Sequence, residues 1–368
     1  MTAATLDAPT PETTETPETT VGSSLRAARA QFTGGRGYLA ACTMGLPPRS
    51  SSAAIRADLV RAERGQACPV EYGAVAERTR SHYARLVGVD PSRVAIGSQT
   101  SVLASVIAAG VPDGGEVLLP ENEFSSLTMP FVHAGRGIRV RCVPLSALAD
   151  EIGADTSLVA FSLVQSATGE IADLTAITTA AARHGARTLC DTTQAAGWLP
   201  VDAKRCDATI CHTYKWLCAP RGVAFLTVNE ATAETLRPIH AGWYAGTEPW
   251  ASCYGAEVAT ASDARRFDVS PAWQAFVGAE PALELFAGLD PTSVHAHATR
   301  LAGAFRERLG LAASESAIVT WADPDGDDLA RLHRAGIVAS GRAGRARVAF
   351  HVFNDDTDVD DAARALGH

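Results

Sequence analysis

Short apolar runs alternate with helical patterns from about residue 94 onward. Seven runs have the length and composition of buried strands, and they lie at 93–96, 116–120, 138–144, 157–164, 186–191, 208–212 and 222–228. Helical patterns at 101–109, 126–135 and 174–185 separate several of them. This alternation predicts an α/β fold with a mainly parallel, seven-stranded sheet that carries helices on both faces.

Helical patterns also flank the sheet region. Amphipathic stretches at 50–65 and 72–88 precede it, and two more at 271–288 and 292–310 follow an aromatic, glycine-rich loop. The final segment has the pattern strand–helix–strand–helix. We therefore predict a large domain over 50–285, a small C-terminal α+β domain over 286–368, and a segment at 23–49 that joins them and lines the active site.

The first 22 residues have a different composition. They are rich in Thr, Pro and Glu, with four acidic and no basic side chains, so we predict a disordered acidic tail at 1–22. They lack the apolar core of a signal peptide, and no run in the chain approaches the roughly 18 apolar residues of a membrane helix. The net charge of −9, without any basic cluster, argues against a nucleic-acid partner. We expect a cytoplasmic protein with no membrane partner.

The eight cysteines are scattered and form no CxxC pair. Several of them lie within apolar, strand-like runs. Reduced, buried thiols are therefore expected, rather than disulfides or metal ligands, and no metal site is predicted.

Lys215 is conspicuous because the 32 basic residues include only two lysines. The other, Lys204, lies in a polar turn, whereas Lys215 follows the apolar run 208–212. Burial lowers the pKa of a lysine and so supplies the neutral amine that attacks an aldehyde, which an arginine cannot do. A structural lysine that caps a strand end is the alternative.

Two residues upstream strengthen the functional interpretation of Lys215. Asp191 ends a predicted strand, where ligands collect in open α/β sheets, and Gln194 follows one turn later. An electron-withdrawing pyridine ring requires a carboxylate at its ring nitrogen, and Gln194 could donate to its phenolic oxygen. Asp191 could instead cap a helix. The combination of Asp191, Gln194 and Lys215 nevertheless predicts pyridoxal 5′-phosphate (PLP) as the cofactor.

The turn at 97–105 follows the first strand and begins a helix. Free backbone N–H groups and the positive end of the helix dipole attract a phosphate there, and Ser98, Gln99 and Thr100 add donors. The same pattern is also typical of an ordinary N-cap.

With these motifs the chain resembles the class V aminotransferase-type PLP enzymes of fold type I, which include cysteine desulfurases, kynureninases and C–S lyases. The similarity extends from Tyr38 to the C-terminus and is most specific at 191–202 and 212–226. It implies that Lys215 forms the Schiff base, that Asp191 binds the pyridine nitrogen, and that Gln194 lies near the phenolic oxygen. Phe124 matches the residue that stacks on the ring, often a histidine in relatives, and Ser166 stands where many relatives have an asparagine that contacts a cofactor oxygen.

The resemblance also implies a phosphate site. Ser98 and Gln99 match the phosphate loop, Tyr214 resembles a phosphate-binding tyrosine, and His212 stands at the position of a phosphate-binding serine.

The resemblance further implies a homodimer with shared active sites. Trp243 and Ser270 match positions that reach the partner subunit's phosphate, although Trp243 could simply pack in the core. Arg347 fits the arginine that clamps an amino acid's α-carboxylate, with Arg345 as the fallback. His351 is interpreted as structural.

The reaction is less determined than the cofactor. A cysteine desulfurase needs a mobile cysteine in the small domain, but the last cysteine is Cys253, so that activity is not expected. Within this family the chain resembles actinobacterial C–S lyases, such as those of the ergothioneine and lincosamide pathways. This similarity implies cleavage of an S-substituted cysteine to thiol, pyruvate and ammonia in secondary metabolism. The alternatives are decarboxylation of such a conjugate to an aldehyde, an aminotransferase, a kynureninase-like hydrolase, and a silent PLP-binding protein.

Overall fold

A computed structural model describes residues 24–368 of the chain. The predicted acidic tail at 1–22 lies outside the described residues. Within 24–368, no helix is both long and apolar enough to cross a bilayer.

A seven-stranded sheet forms the centre of the large domain, as predicted. Its strands in chain order are β1 (Val94–Gly97), β2 (Glu116–Pro120), β3 (Arg139–Val143), β4 (Thr156–Ser162), β5 (Arg187–Asp191), β6 (Ala208–His212) and β7 (Ala224–Val228). Their order across the sheet is β1-β7-β6-β5-β4-β2-β3. Only β7 runs antiparallel to its neighbours. The connection between β6 and β7 contains no crossover helix, so the chain must return antiparallel.

Helices cover both faces of this sheet. In chain order they are α1 (Arg49–Glu63), α2 (Pro69–Leu86), α3 (Thr100–Ala109), α4 (Ser125–Val132), α5 (Leu174–His184), the single turn α6 (Glu230–Ala233) and α7 (Trp273–Ala287). Alternate strand residues pack into two separate cores, because successive side chains point to opposite faces. Phe225, for example, stacks on Tyr83 of α2 with ring centroids 4.3 Å apart, whereas its neighbour Leu226 faces the other core.

The C-terminal unit has its own core around a three-stranded antiparallel sheet. It comprises α8 (Pro291–Arg308), β8 (Ile318–Ala322), α9 (Asp327–Arg334), β9 (Ser340–Arg342), β10 (Arg345–Ala349) and α10 (Asp356–Leu366). The short strand β9 was not predicted, because Ser-Gly-Arg has neither apolar content nor alternation. The N-terminal segment adds isolated parallel bridges, which pair Tyr38 with Val338 and Ala40 with Ala349.

A buried ion pair fixes the start of the sheet. Arg80 of α2 donates to Asp268 at 2.7 Å, and each side chain is 1% exposed. Asp268 also accepts the backbone N–H of Ile96 in β1 at 2.8 Å. The pair thus joins α2, β1 and the loop before Ser270, immediately beside the turn that opens α3.

Replacing Asp268 by alanine is expected to lower the free energy of unfolding by about 3 kcal/mol, because the buried Arg80 charge would keep only the half-exposed carboxylate of Glu77 as a partner. Chemical denaturation of the apoprotein measures this. Asp356→Ala is the matched control, since it removes an exposed bond to Arg300 and should cost less than about 1 kcal/mol. Equal losses in the two variants would contradict the role assigned to the buried pair.

Candidate active site

Lys215 lies in the turn between β6 and β7, at the carboxyl edge of the parallel strands. Its side chain is only 6% exposed. The N-terminal segment crosses directly over this turn: the N–H of Gly45 donates to the carbonyl of Tyr214 at 2.8 Å. A Cβ on Gly45 would lie 2.0 Å from the carbonyl oxygen of Lys215. Only glycine therefore permits this close approach.

The buried amine is poised to lose its proton. Burial lowers the pKa of Lys215 from 10.5 to about 8, and nearby Asp191 opposes this by favouring the ammonium form. Arg347 and Arg342 lower the pKa further through repulsion. A substantial neutral fraction therefore exists near neutral pH, as a nucleophilic or proton-accepting amine requires.

Asp191 ends β5 and is 4% exposed. Burial raises the pKa of its carboxyl group, whereas the N–H of Thr193, which donates to Oδ1 at 2.8 Å, and the Lys215 charge lower it. Gln194 lies in the same cleft with its amide oriented by three bonds. Trp216 Nε1 donates to Oε1 at 2.8 Å, and Nε2 donates to Cys42 O and Ser166 Oγ at 2.9 and 3.1 Å. Both amide hydrogens are thus directed to protein acceptors, and a contact of Gln194 with a cofactor oxygen stays a prediction.

Phe124 faces the lysine from the start of α4. Its ring centroid is 5.2 Å from Lys215 Nζ, and the ring is partly exposed to the cleft. The preceding Glu123 fixes this position, because its carboxylate accepts the N–H of Phe124 at 2.6 Å and bonds Ser162 at the end of β4. Burial raises the pKa of Glu123, and the charge of Asp191 adds to the shift.

The other end of the cleft collects donors suited to an anion. Gln99 and Thr100, at the first turn of α3, line the cleft together with His212 and Tyr214. His212 is 6% exposed, and its Nε2 is buried with no partner among the described residues. Burial lowers its pKa to about 4, so the ring is neutral. Ser98 is half-buried and is not among the lining residues.

Arg347 of β10 lies behind the cleft on the small-domain side and is 1% exposed. It is not itself a lining residue, but it bonds Ser166, which is. It donates to the Ser166 carbonyl, to Thr43 Oγ1 at 2.7 Å and to Ser340 Oγ at 3.2 Å. No carboxylate pairs with Arg347 within residues 24–368. Arg345 instead donates to Thr320 at 3.1 Å. The geometry thus favours Arg347 over Arg345 as the anion-binding arginine.

Three further candidates lie outside this chain's own cleft. Trp243 packs against Trp250 with ring centroids 4.9 Å apart, and Ser270 is exposed. Neither lines the cleft that contains Lys215. His351 is fully buried and bonds the carbonyl oxygen of Trp216 at 2.7 Å through Nε2, which agrees with its structural interpretation.

Sequence reasoning missed several residues of the site. Arg221 lines the cleft, Glu123 fixes Phe124, and Thr43 bonds Arg347. The Pro-Arg-Gly sequence after the lysine turn is a signal for Arg221, because a rigid turn there keeps the arginine beside that turn, with its guanidinium over the Tyr214 ring. Thr43 offered no signal, since its contact bridges more than 300 residues of sequence.

A larger cleft of ≈ 820 Å³ lies at the opposite, amino edge of the sheet. It contains His184 and Arg187, but none of its lining residues is an acid, a lysine or a cysteine. Ligands of open α/β sheets bind outside the carboxyl ends of the strands. The smaller cleft of ≈ 510 Å³ around Lys215 is therefore the candidate active site.

The lining residues of this cleft fit PLP. Asp191 can hold a protonated ring nitrogen, Phe124 offers a flat apolar face, and Lys215 supplies an amine for the aldehyde. The unpartnered Nε2 of His212 and the first turn of α3 suit the phosphate group. Fold and site together define a PLP enzyme of fold type I.

Comparison with known families agrees with this class. The family model of the class-V aminotransferases matches residues 64–325, and the chain belongs to that family. Its members depend on PLP, and this chain is a PLP-dependent enzyme.

Individual relatives are distant. The chain is 30% identical to an isopenicillin N epimerase of Streptomyces clavuligerus over 190 residues, 47% of this chain and 48% of that protein. It is 26% identical to an uncharacterized aminotransferase of Bacillus subtilis over 77% of this chain and 80% of that one. The match therefore spans about half the length of the epimerase. A solved cystine C–S lyase, C-DES, superposes with a TM-score of 0.81 at 21% identity, covering 90% of this chain and 97% of that one, and shows the fold alone.

The lowered pKa of Lys215 predicts how the apoprotein captures PLP. Only the neutral amine attacks an aldehyde, so the rate should rise about tenfold per pH unit below pH 8 and level off above it. Stopped-flow absorbance of apoprotein mixed with PLP measures the rate. A blocked lysine in solution is the control, and its rate should keep rising toward pH 10. A similar continued rise for the protein would contradict the buried, low-pKa amine.

Proposed function

We propose that the protein is a C–S β-lyase that cleaves an S-substituted cysteine to a thiol, pyruvate and ammonia. The observation that carries this proposal is that, among residues 24–368, Lys215 is the one lysine lining the cleft, with the proton-inert ring of Phe124 at 5.2 Å from its nitrogen. Such a site suits removal of a single proton from one side of the substrate.

The side chains divide the work of this reaction. PLP, when bound, withdraws electrons from the substrate and makes its Cα–H acidic. Lys215 accepts that proton, since its lowered pKa leaves part of the amine neutral. Asp191 keeps a protonated pyridine nitrogen charged, and Arg347 holds the α-carboxylate once that group replaces Thr43 and Ser166 on the guanidinium.

The bonds balance without any oxidant. The Cα–H and Cβ–S bonds break, the sulfur leaves as a thiolate and takes up a proton, and water releases the nitrogen as ammonia. One conjugate and one water thus give thiol, pyruvate and ammonium.

Desulfuration is a weaker proposal. It needs a mobile thiolate in the small domain, but the sequence after Cys253 contains no cysteine. Cys42 and Cys218 lie near the lysine turn but are buried, and burial raises the pKa of Cys218 well above that of a free thiol.

An epimerase is the second candidate, because the chain is 30% identical to isopenicillin N epimerase over about half of each protein. Epimerisation requires a proton to return to the opposite side of Cα. Phe124 cannot supply it, and among residues 24–368 no second lysine lines the cleft. The other proton-bearing rings there, His212 and Tyr214, belong to its anion-binding end. This favours elimination over epimerisation.

Product analysis tests the proposal. The PLP-loaded protein is incubated with S-substituted cysteines, and pyruvate and thiol are quantified. A β-lyase should form the two products in equal amounts. An aldehyde with CO₂ would indicate the decarboxylating alternative, and dependence on a keto acid an aminotransferase. Loss of optical activity, with solvent deuterium at Cα but no pyruvate, would indicate an epimerase. Each of these three outcomes overturns the lyase.

We also infer that the active protein is a homodimer with shared sites. Trp243 and Ser270 support this inference, because both lie outside this chain's own cleft although their sequence positions match phosphate-binding residues of relatives. Sedimentation of the holoprotein measures whether it is a dimer. PLP retention by Ser270→Ala measures whether Ser270 contributes to a shared site.

A further inference from the structure

Arg221 is a cationic residue of the cleft to which the proposed reaction assigns no role. It lies between Pro220 and Gly222, whose φ of +105° favours glycine, at the end of the turn that contains Lys215. Its guanidinium carbon lies 4.9 Å from the centroid of the Tyr214 ring. No carboxylate or other hydrogen-bond acceptor engages it among residues 24–368, although it lines the cleft.

The groups around Arg221 form the anion-binding end of the cleft. His212, whose ring centroid lies 4.4 Å from that of Tyr214, has a buried Nε2 without a partner in the described part of the chain. The first turn of α3 contributes Gln99 and Thr100 to the same cleft. Because the low pKa of His212 keeps it neutral, it can donate a hydrogen bond but supplies no positive charge.

We propose that Arg221 binds the phosphate group of PLP, opposite the first turn of α3 and within the same protomer. The planar guanidinium can give two parallel N–H bonds to phosphate oxygens, and the Tyr214 ring holds it in place. The dipole of α3, the neutral hydrogen-bond donors and the positive charge of Arg221 would then together stabilise the dianionic phosphate. This inference rests on PLP binding by the chain.

Comparison of PLP with pyridoxal, which lacks the phosphate, isolates the contact. Arg221→Met should weaken PLP binding about 10- to 100-fold and leave pyridoxal binding unchanged. Arg221→Lys keeps the positive charge but not the two parallel N–H donors of the guanidinium. Its PLP affinity should therefore lie between those of the wild type and Arg221→Met. Inorganic phosphate should raise the melting temperature of the wild-type apoprotein more than that of Arg221→Met.

Arg237→Met is the matched control. Arg237 is exposed and does not line the cleft. Its loss should change PLP affinity less than about threefold, because exposed charges are screened.

Three outcomes would overturn the inference: unchanged PLP affinity in Arg221→Met, equal weakening of PLP and pyridoxal, or a raised KM for the amino acid with PLP affinity intact. If Arg221→Met does not fold, the inference is tested by the PLP affinity of Arg221→Lys and by comparing how much inorganic phosphate raises the melting temperatures of the wild-type and Arg221→Lys apoproteins. Failure of the wild-type protein to bind PLP would instead overturn the cofactor assignment itself.

Discussion

Lys215→Ala is expected to lower kcat/KM by about 10⁴-fold, since the variant loses both the covalent attachment of PLP and the amine that accepts the Cα proton. The visible absorption band of the attached cofactor should disappear, while PLP still binds through Asp191 and the phosphate-binding groups. Lys204→Ala is the matched control, because Lys204 is the only other lysine and lies exposed in a turn. Wild-type kinetics in Lys215→Ala would contradict the central role of this residue.

Loss of the same amine, here as Lys215→Met, has a second and opposite effect in the apoprotein. The folded pKa of Lys215 is about 8 and its ordinary value is 10.5, so the unfolded chain binds more protons between these pH values. Stability from this group therefore rises with pH across that window, and below pH 8 the buried charge destabilises the fold by up to about 3 kcal/mol. Lys215→Met should consequently stabilise the apoprotein at pH 7, with the gain fading above pH 10.5. Urea unfolding at both pH values measures it.

Arg347→Met is expected to reduce kcat/KM by about 10³-fold, or about 4 kcal/mol. The substrate carboxylate would then face an apolar side chain in a buried site, and loss of one partner of such a charge pair costs several kcal/mol. The decrease in kcat/KM should be seen mainly with amino-acid substrates, and the affinity for PLP should be unchanged.

Arg345→Met provides the control for this prediction, because Arg345 bonds Thr320 on the neighbouring strand. It should keep kcat/KM within a few-fold of wild type. If Arg345→Met were instead the impaired variant, the fallback arginine would be the carboxylate ligand. An amine substrate that lacks the carboxylate should react equally with wild type and Arg347→Met.

The strand-based part of the site could be predicted from sequence because local pattern determines it. Apolar runs ending in Asp191 and His212 locate two adjacent strand ends, and parallel pairing of β5 with β6 brings them together. Lys215 follows by chain continuity. All seven strands of the large sheet were predicted for the same reason.

Contacts that join distant segments were not predictable. Thr43 reaches Arg347 only because the N-terminal segment folds back over the small domain, and no periodicity encodes that path. Strand β9 has three residues and exists because β10 offers it a partner. Glu123 is a surface residue by type, and only the bonds to Ser162 show its role at Phe124.

The path of the N-terminal segment has a mechanical consequence. Leu39 exchanges backbone bonds of 2.8 Å with Val338 and Ala349 of the small domain, and a few residues later Gly45 bonds the lysine turn of the large domain at the same distance. Residues 39–45 therefore connect the small domain to the lysine turn of the large domain, with backbone hydrogen bonds at both ends of the segment. A rotation of the small domain that displaced Arg347 would therefore also displace the backbone that covers Lys215. In the proposed reaction, the positions of Arg347 and Lys215 would therefore be coupled through this one stretch of seven residues.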